Sequence, residues 1–153
     1  MINAMEPAQQ RQHGDLQIAT FRAGRMLLGI DIGAVQEINR DTEATPVPHA
    51  ARGVRGVMNL RGEVVTVVDL RAALGMEPIK TDRNSRNVIV NVGGELTGMC
   101  VDQVADILTL DASSIAPLPR NLDAVDRRYV LGVYPLETEI LLLLNVESVL
   151  ELN

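Results

Sequence analysis

Residues that could do chemistry are few in this sequence, and they are far apart. The two histidines, His13 and His49, lie in no H-x-x-x-H spacing that could hold zinc. The one cysteine, Cys100, stands in the strand-like run Gly98–Val101 with no histidine beside it. A free cysteine in such a run is usually a small buried core residue. The sequence therefore predicts no metal site and no cysteine nucleophile.

Paired carboxylates and glycine-rich turns are the remaining candidates for chemistry. Asp102 and Asp106 carry groups suited to acid–base catalysis, but in an acidic chain such pairs are typical of a solvated surface. The glycine-containing stretch 53–56 lacks the Lys-Ser/Thr ending and the long helix of a phosphate-binding loop. We therefore expect no cofactor and no enzymatic activity.

Composition narrows the classes of partner. The formal net charge of −6, with one Phe, two Tyr and no Trp, is opposite to the basic, aromatic surface on which nucleic acid binds. The longest apolar run, Ile140–Leu144, is much shorter than the roughly 20 residues that span a bilayer. The first residues contain no apolar signal core. These features predict a cytoplasmic protein with no nucleic-acid partner and no direct membrane insertion.

An internal repeat is the most informative feature of the chain. Val54–Leu74 aligns without gaps on Val130–Leu150, and Gly24–Ile38 aligns on Gly93–Ile107, with the two blocks in the same order in both halves. The identities include Val54/Val130, Gly56/Gly132, Val57/Val133, Leu60/Leu136, Gly24/Gly93, Gly29/Gly98, Val35/Val104 and Ile38/Ile107. Two units of this size indicate a duplicated small domain rather than a solenoid.

Each unit has the pattern of strands joined by tight turns. Val64–Val68 and Ile140–Leu144 are nearly apolar on both faces, which is typical of strands in a curled or closed sheet. Asp69 and Asn145 follow these strands and are good N-caps for short helices. The fold class predicted is therefore mainly all-β, with two small barrels and short helices.

The domain organisation follows from the repeat. The polar segment 75–87 is rich in turn formers and marks a connection, so we place an approximate boundary near residue 85. Residues 1–15 are expected to form a flexible tail. Residues 16–153 are expected to form a single domain made of two β-barrel subdomains.

The turn Asn59–Gly62 differs from its repeat partner Pro135–Thr138 in everything but its leucine. Arg61 stands where the second copy has Glu137, so the charge is inverted while the packing residue is kept. Two interpretations remain open at this point. Either the two halves face different partners, or exposed charges have drifted, since such residues seldom affect folding.

Five motifs resemble those of CheW-like domains. They are Gly29–Ile32 (GIDI), Val35–Ile38 (VQEI), Gly56–Val65 (GVMNLRGEVV), Val67–Arg71 (VVDLR), and Val101–Asp102 with Val104. The similarity extends over roughly Leu16 to Leu152, and the motifs occur in the order seen in the family, which is more specific than any single short pattern.

The resemblance implies two SH3-like five-stranded barrels and a non-catalytic adaptor. Such an adaptor couples the cytoplasmic tips of chemoreceptors to the regulatory domain of the histidine kinase CheA, and is recruited to membrane-associated receptor arrays. The receptor-binding residues that carry over onto matching positions are Val35, Glu37, Gly56, Arg61 and Gly62. The resemblance assigns no kinase-contact residue.

Two other functions remain open from the sequence. An OB-like barrel that binds a small molecule or an oligonucleotide needs an exposed basic and aromatic face, which this composition does not favour. A hydrolase with an unrecognised site needs a pocket of mutually perturbed titratable residues.

Overall fold

Strands make up most of the regular structure in the computed structural model, which describes residues 14–40, 44–121 and 125–151. In chain order the strands are β1 Asp15–Ala23, β2 Met26–Asp31, β3 Val35–Arg40, β4 Val54–Leu60, β5 Glu63–Asp69, β6 Arg86–Val92, β7 Glu95–Val101, β8 Gln103–Asp111, β9 Val130–Pro135 and β10 Ile140–Leu144. Helix α1, Leu70–Ala73, follows β5, and helix α2, Val146–Leu150, follows β10. Single 3-10 turns form at Ile32–Ala34, Ala112–Ser114 and Arg127–Tyr129.

The strands form two five-stranded sheets of the same design. Sheet I has the order β3-β6-β7-β5-β4, and sheet II has the order β8-β1-β2-β10-β9. In each sheet one pair is parallel, β5 with β7 and β10 with β2, and the other neighbours are antiparallel. The matched repeat strands β5 and β10 therefore occupy the same sheet position. The mainly all-β prediction with two five-stranded units is confirmed.

The boundary expected near residue 85 does not separate the two sheets. Strands β5 and β6, on either side of it, both belong to sheet I. The chain leaves sheet II at Ile32–Ala34 and returns to it at Asp102, so sheet I is one continuous segment inserted into sheet II. The first two strands of each repeat pair with the last three strands of the other repeat. Sequence similarity shows which strands of the two repeats are alike, but it does not show whether a strand pairs within its own repeat or with the other one. The boundary predicted near residue 85 was wrong for this reason.

The expected tail at residues 1–15 lies mostly outside the described residues. Its last residue, Asp15, is the first residue of β1, where it pairs with Asp111 of β8. The ordered domain therefore includes Asp15, because the edge strand β8 offers it backbone pairing.

A backbone bridge joins the two edges of each sheet, as a barrel requires. Thr45, which follows β3, bridges Val57 of β4, with N···O distances of 2.8 and 2.9 Å. Ala116, which follows β8, bridges Val133 of β9 in the same way. The two bridges stand at equivalent places in the two sheets.

Glycine is required where these bridges form. A Cβ atom at Gly56 would overlap the carbonyl oxygen of Thr45, and a Cβ at Gly132 would lie 3.0 Å from the carbonyl oxygen of Ala116. Gly56 also has a φ of 154°, a conformation that side chains rarely adopt. The identity of this glycine pair in the repeat is therefore explained by close backbone approach.

Gly56→Ala is expected to lower the free energy of unfolding by about 3 kcal/mol, since overpacking and backbone strain add. The matched control is Gly62→Ala, whose φ is 89° but whose Cβ would meet nothing within 4 Å. The control retains only the backbone strain and is expected to lose about 1 kcal/mol. Urea unfolding of both variants measures the difference, and equal losses would contradict the role given to the bridge.

The two sheets share one hydrophobic core. It contains buried side chains from sheet II, such as Phe21 and Leu142, packed with side chains from sheet I, such as Val90 and Met99. Smaller clusters lie within each sheet. Cys100 is buried in one of them, as expected from its place in a strand.

Asp102 fixes the crossover between the sheets. Its backbone N–H donates to the carbonyl oxygen of Arg22 at 3.0 Å, and its carboxylate accepts from the backbone N–H of Gly24. The same carboxylate pairs with Nε of Arg71 in α1 at 2.8 Å. One half of the carboxylate pair considered for catalysis therefore links β1, α1 and the return of the chain into sheet II.

Candidate functional site

Strand β3 and the turn between β4 and β5 bring Glu37 and Arg61 together. Arg61 Nη2 lies 2.8 Å from Glu37 Oε1, and Arg61 Nη1 lies 3.2 Å from Glu37 Oε2. The contact is a two-pronged ion pair, a geometry that suits a guanidinium and a carboxylate. Two of the residues expected to bind the receptor are thus direct neighbours.

The turn that carries Arg61 has an uncommon backbone. Leu60 and Glu63 are paired across the hairpin, which leaves Arg61 and Gly62 as the turn residues, with φ of 52° and 89°. Positive φ at both positions is the geometry of a tight hairpin turn. The Asn59 side-chain oxygen accepts from the Gly62 N–H at 2.8 Å and holds the turn. The backbone therefore presents Arg61 outward although arginine rarely adopts this conformation.

Leu60 and Arg61 are neighbours in the chain but differ sharply in burial. Leu60 is buried with Val65 and Ile89, whereas the Arg61 side chain is 69% exposed. The leucine anchors the turn and the arginine is available to a partner. Leu60 is buried as expected, whereas its repeat partner Leu136 is half-buried against the cluster of sheet II.

The ion pair sets the electrostatics of this surface. The hydrogen bond from Arg61 lowers the pKa of the Glu37 carboxyl, and the same bond raises the pKa of Arg61. Asn39 Nδ2 also approaches Glu37 Oε2, at 3.5 Å. The surface therefore presents a fixed guanidinium beside a carboxylate that stays ionised under ordinary conditions.

Arg61→Gln is expected to return the pKa of Glu37 toward its ordinary value, because the donor that lowers it is lost. A carboxyl group whose pKa is lowered by folding stabilises the protein at pH values above its pKa in the unfolded chain. This stabilisation is lost as the pH falls through the pKa of the same group in the folded protein. The pair therefore stays intact at about pH 6 to 8. Carboxyl NMR titration measures the change. Arg40→Gln, which removes an exposed arginine from the same strand, is the control and should leave Glu37 unchanged.

Val35 and Gly56 lie apart from this exposed pair. Val35 is half-buried, pairs with Val90 at the start of β3 and packs against the shared core. Gly56 is buried inside β4 at the bridge described above. The structure thus places Glu37, Arg61 and Gly62 at the surface, and gives Gly56 a packing role. Direct contact of any of these residues with a receptor stays a prediction.

The equivalent positions on sheet II carry two acids in place of an ion pair. Asp106 and Glu137 stand at the repeat positions of Glu37 and Arg61, so the ion pair has no counterpart there. A different pair forms nearby, with Arg22 Nη2 lying 2.8 Å from Glu139 Oε2. The change from Arg61 to Glu137 between the repeats therefore gives the two surfaces different ion pairs.

Sequence reasoning missed the exposed apolar residues of both sheets. Val64 is 70% exposed and Ile38 is 42% exposed on sheet I, and their repeat partners Ile140 and Ile107 are 49% and 60% exposed. Exposed apolar side chains are individually ordinary, but larger patches mark protein contacts. The repeat alignment already contained a sign of these residues, because it places apolar Ile38 on Ile107 and the run from Val64 on the run from Ile140.

Two features that would indicate other functions are absent from the described residues. Within residues 14–40, 44–121 and 125–151, no three His, Cys, Asp or Glu side chains are grouped so that they could hold a metal ion. Over the same ranges, no helix has the length and apolar character needed to cross a membrane.

Comparison with known proteins gives consistent matches. Residues 17–153 match the family model described as CheW-like domain. The chemotaxis protein CheW of Rhizobium meliloti (strain 1021) is 36% identical over 97% of this chain and 94% of its own length. The chemotaxis protein CheW of Klebsiella aerogenes is 33% identical over 85% of this chain and 78% of its own length.

A solved structure agrees with the sequence matches. The crystal structure of the scaffolding protein TtCheW from Thermoanaerobacter tengcongensis superposes with a TM-score of 0.83 at 28% identity, covering 90% of this chain and 89% of that one. The family match spans nearly all of the two sheets and the site described above. The chain therefore belongs to the CheW-like family of chemotaxis scaffold proteins.

Proposed function

We propose that this protein is a non-catalytic adaptor that couples the cytoplasmic tips of chemoreceptors to the regulatory domain of the histidine kinase CheA. The observation that carries the proposal is the exposed Glu37–Arg61 pair, held on a strained turn, in a chain similar over nearly its whole length to chemotaxis and scaffolding proteins. A residue held in a rarely populated conformation at a surface is typical of a functional contact.

The receptor tip would bind on the surface formed by Glu37, Arg61 and Gly62. A guanidinium with an exposed edge offers several donors to carboxylates on a partner, and the flexible position at Gly62 allows close backbone approach. Val35 would contribute its exposed portion. Gly56 would act through the fold, because it sets the position of the β4 edge beside the turn.

The two sheets suit a protein with two partners. They are alike in fold but differ in surface charge, with an ion pair on sheet I and two acids at the matching positions of sheet II. Electrostatic complementarity selects partners more than it sets affinity, so this difference favours distinct partners for the two faces. The matched exposed apolar residues offer further contact area on each sheet. Kinase-contact residues stay unassigned.

The proposal includes the absence of catalysis and a cytoplasmic location at receptor arrays. The protein would reach the membrane through its receptor partner. The alternative of an OB-like barrel is not favoured, since the relatives are chemotaxis and scaffolding proteins and the chain carries a net charge of −6. Single-stranded nucleic acid would be repelled by that charge.

A bridging experiment tests the function. Immobilised receptor-tip fragment is mixed with the purified CheA regulatory domain, with and without the full-length protein. The kinase domain is expected to be retained on the receptor far better when the protein is present. Equal retention without the protein would contradict an adaptor role. Salt-sensitive binding of a single-stranded oligonucleotide in a parallel assay would favour the barrel that binds nucleic acid.

A further inference from the structure

A second charged surface lies away from the Glu37–Arg61 pair, in a cleft that borders both short helices. The cleft has a volume of about 390 Å³. Two arginines, Arg52 and Arg128, line it together with Tyr129, Ser148 and Glu151. Small residues of α1 and of the segment before β4 complete its walls.

The duplication of the fold explains why two arginines line this cleft. When the match of Val54–Leu74 onto Val130–Leu150 is extended by two residues toward the N-terminus, Arg52 corresponds to Arg128. Within the match, Ala72 of α1 corresponds to Ser148 of α2, and both line the cleft. The cleft is therefore built from equivalent positions of the two repeats.

Equivalent backbone hydrogen bonds hold the two arginine segments. The N–H of Asp69, the N-cap of α1, donates to the carbonyl oxygen of Gly53 at 2.8 Å. The N–H of Asn145, the N-cap of α2, donates to the carbonyl oxygen of Tyr129 at 2.8 Å. Gly53 and Tyr129 directly follow the two arginines. Each arginine is thus positioned by the start of the helix that borders the cleft.

The two guanidinium groups differ in how far they are fixed. Arg128 Nε lies 3.1 Å from Asp126 Oδ2, and its Cζ lies 5.2 Å from the centre of the Tyr129 ring, while its side chain stays 71% exposed. Nη2 of Arg128 is 3.4 Å from the Tyr129 hydroxyl, which leaves Nη1 for a ligand. Arg52 is exposed and makes no hydrogen bond or ion pair with any residue in the described ranges.

We propose that this cleft binds a carboxylate carried by an acidic segment of a protein partner. Two guanidiniums offer donors that a carboxylate accepts, and the hydroxyls of Tyr129 and Ser148 add further donors. The acids that oppose them are Glu151 in the lining and Asp126, which occupies only Nε of Arg128. The cleft is open, so a small free acid would remain solvated there and be held weakly. A peptide segment adds contacts with the apolar lining.

Titration of the full-length protein with a hexaglutamate peptide tests the proposal. Saturable binding is expected, with NMR shifts at the cleft residues. The double variant Arg52→Gln/Arg128→Gln is expected to weaken binding at least about tenfold, because two charge-assisted contacts are lost. The double variant Arg25→Gln/Arg83→Gln removes the same charge from exposed positions elsewhere, and is expected to weaken binding less than about twofold through screened long-range attraction.

The outcomes separate site-specific binding from general attraction. Absence of saturable binding, or equal loss in the two double variants, would overturn the proposal. Succinate that binds as tightly as the peptide would overturn the acidic segment as the source of the carboxylate. Both double variants are expected to keep the melting temperature of the unmodified protein, because all four arginines are exposed. A loss of peptide affinity then reflects the binding site and not unfolding.

Discussion

Phe21→Ala is expected to lower the free energy of unfolding by about 4 kcal/mol and to weaken both sheets in one transition. Phe21 is the only phenylalanine of the chain and is 1% exposed. It belongs to β1 of sheet II, yet its cluster includes Val88, Val90 and Met99 of sheet I. Truncation removes apolar contacts and leaves a cavity at the place where the two sheets meet.

Calorimetry with hydrogen exchange measures this effect sheet by sheet. Exchange protection of β6 amides in sheet I should fall together with protection of β2 amides in sheet II. Leu110→Ala is the matched control, because Leu110 is 3% exposed but lies in a cluster formed within sheet II. Two separate unfolding transitions in Phe21→Ala, with sheet I unaffected, would contradict a shared core.

Local structure could be predicted from the sequence because its causes are local. The alternation of short strands and turns predicted the fold class, and two polar residues after apolar strands predicted the helix starts. The Asp69 side chain accepts from Ala72 N at 3.0 Å, and the Asn145 side chain accepts from Ser148 N at 3.2 Å. Capping depends on residues three positions apart, so a sequence window contains the whole interaction.

Pairing between the repeats could not be predicted in the same way. Strands β1 and β6 are equivalent in the duplication, and each of them fits the same place in either sheet. In the structure the chain crosses to sheet I at Ile32–Ala34 and returns at Asp102, where Asp102 pairs with Arg71. Contacts of this kind join residues distant in sequence. Through the crossover, the first hairpin of each repeat lies in the sheet formed by the last three strands of the other repeat.

The candidate site residues were taken one by one from the resemblance, and their contact with a receptor stays a prediction. Their geometry was not predicted. The turn leucine was interpreted as a packing residue, and Leu60 is buried while Arg61 beside it is exposed. The Glu37–Arg61 ion pair was missed because the two residues are 24 positions apart, one on β3 and the other in the turn between β4 and β5. Gly56 entered the site through resemblance, whereas its neighbours in the structure show a packing requirement that explains the residue without a partner.

Arg61→Glu is expected to weaken binding of a receptor-tip fragment about thirtyfold or more, as truncation or reversal of a central interface arginine does. The substitution removes the guanidinium and places a second carboxylate beside Glu37, so an acidic partner would be repelled and the turn would lose its ion pair. Stability should change little, with a shift in melting temperature of less than about 2 °C, because exposed ion pairs contribute weakly to folding. Affinity and melting curves are measured on the same preparations.

Two further variants separate recognition from folding in this experiment. Arg61→Asn suits the positive φ of the turn and removes the charge, so it should reduce affinity while the melting temperature is kept or raised. Leu60→Ala should have the opposite effect, lowering the free energy of unfolding by roughly 2 to 5 kcal/mol as a buried truncation. If a folded Arg61→Glu protein bound the receptor fragment with unchanged affinity, Arg61 would not belong to the receptor-binding surface. The fold, which depends on Leu60 and the core rather than on Arg61, would be unaffected by that result.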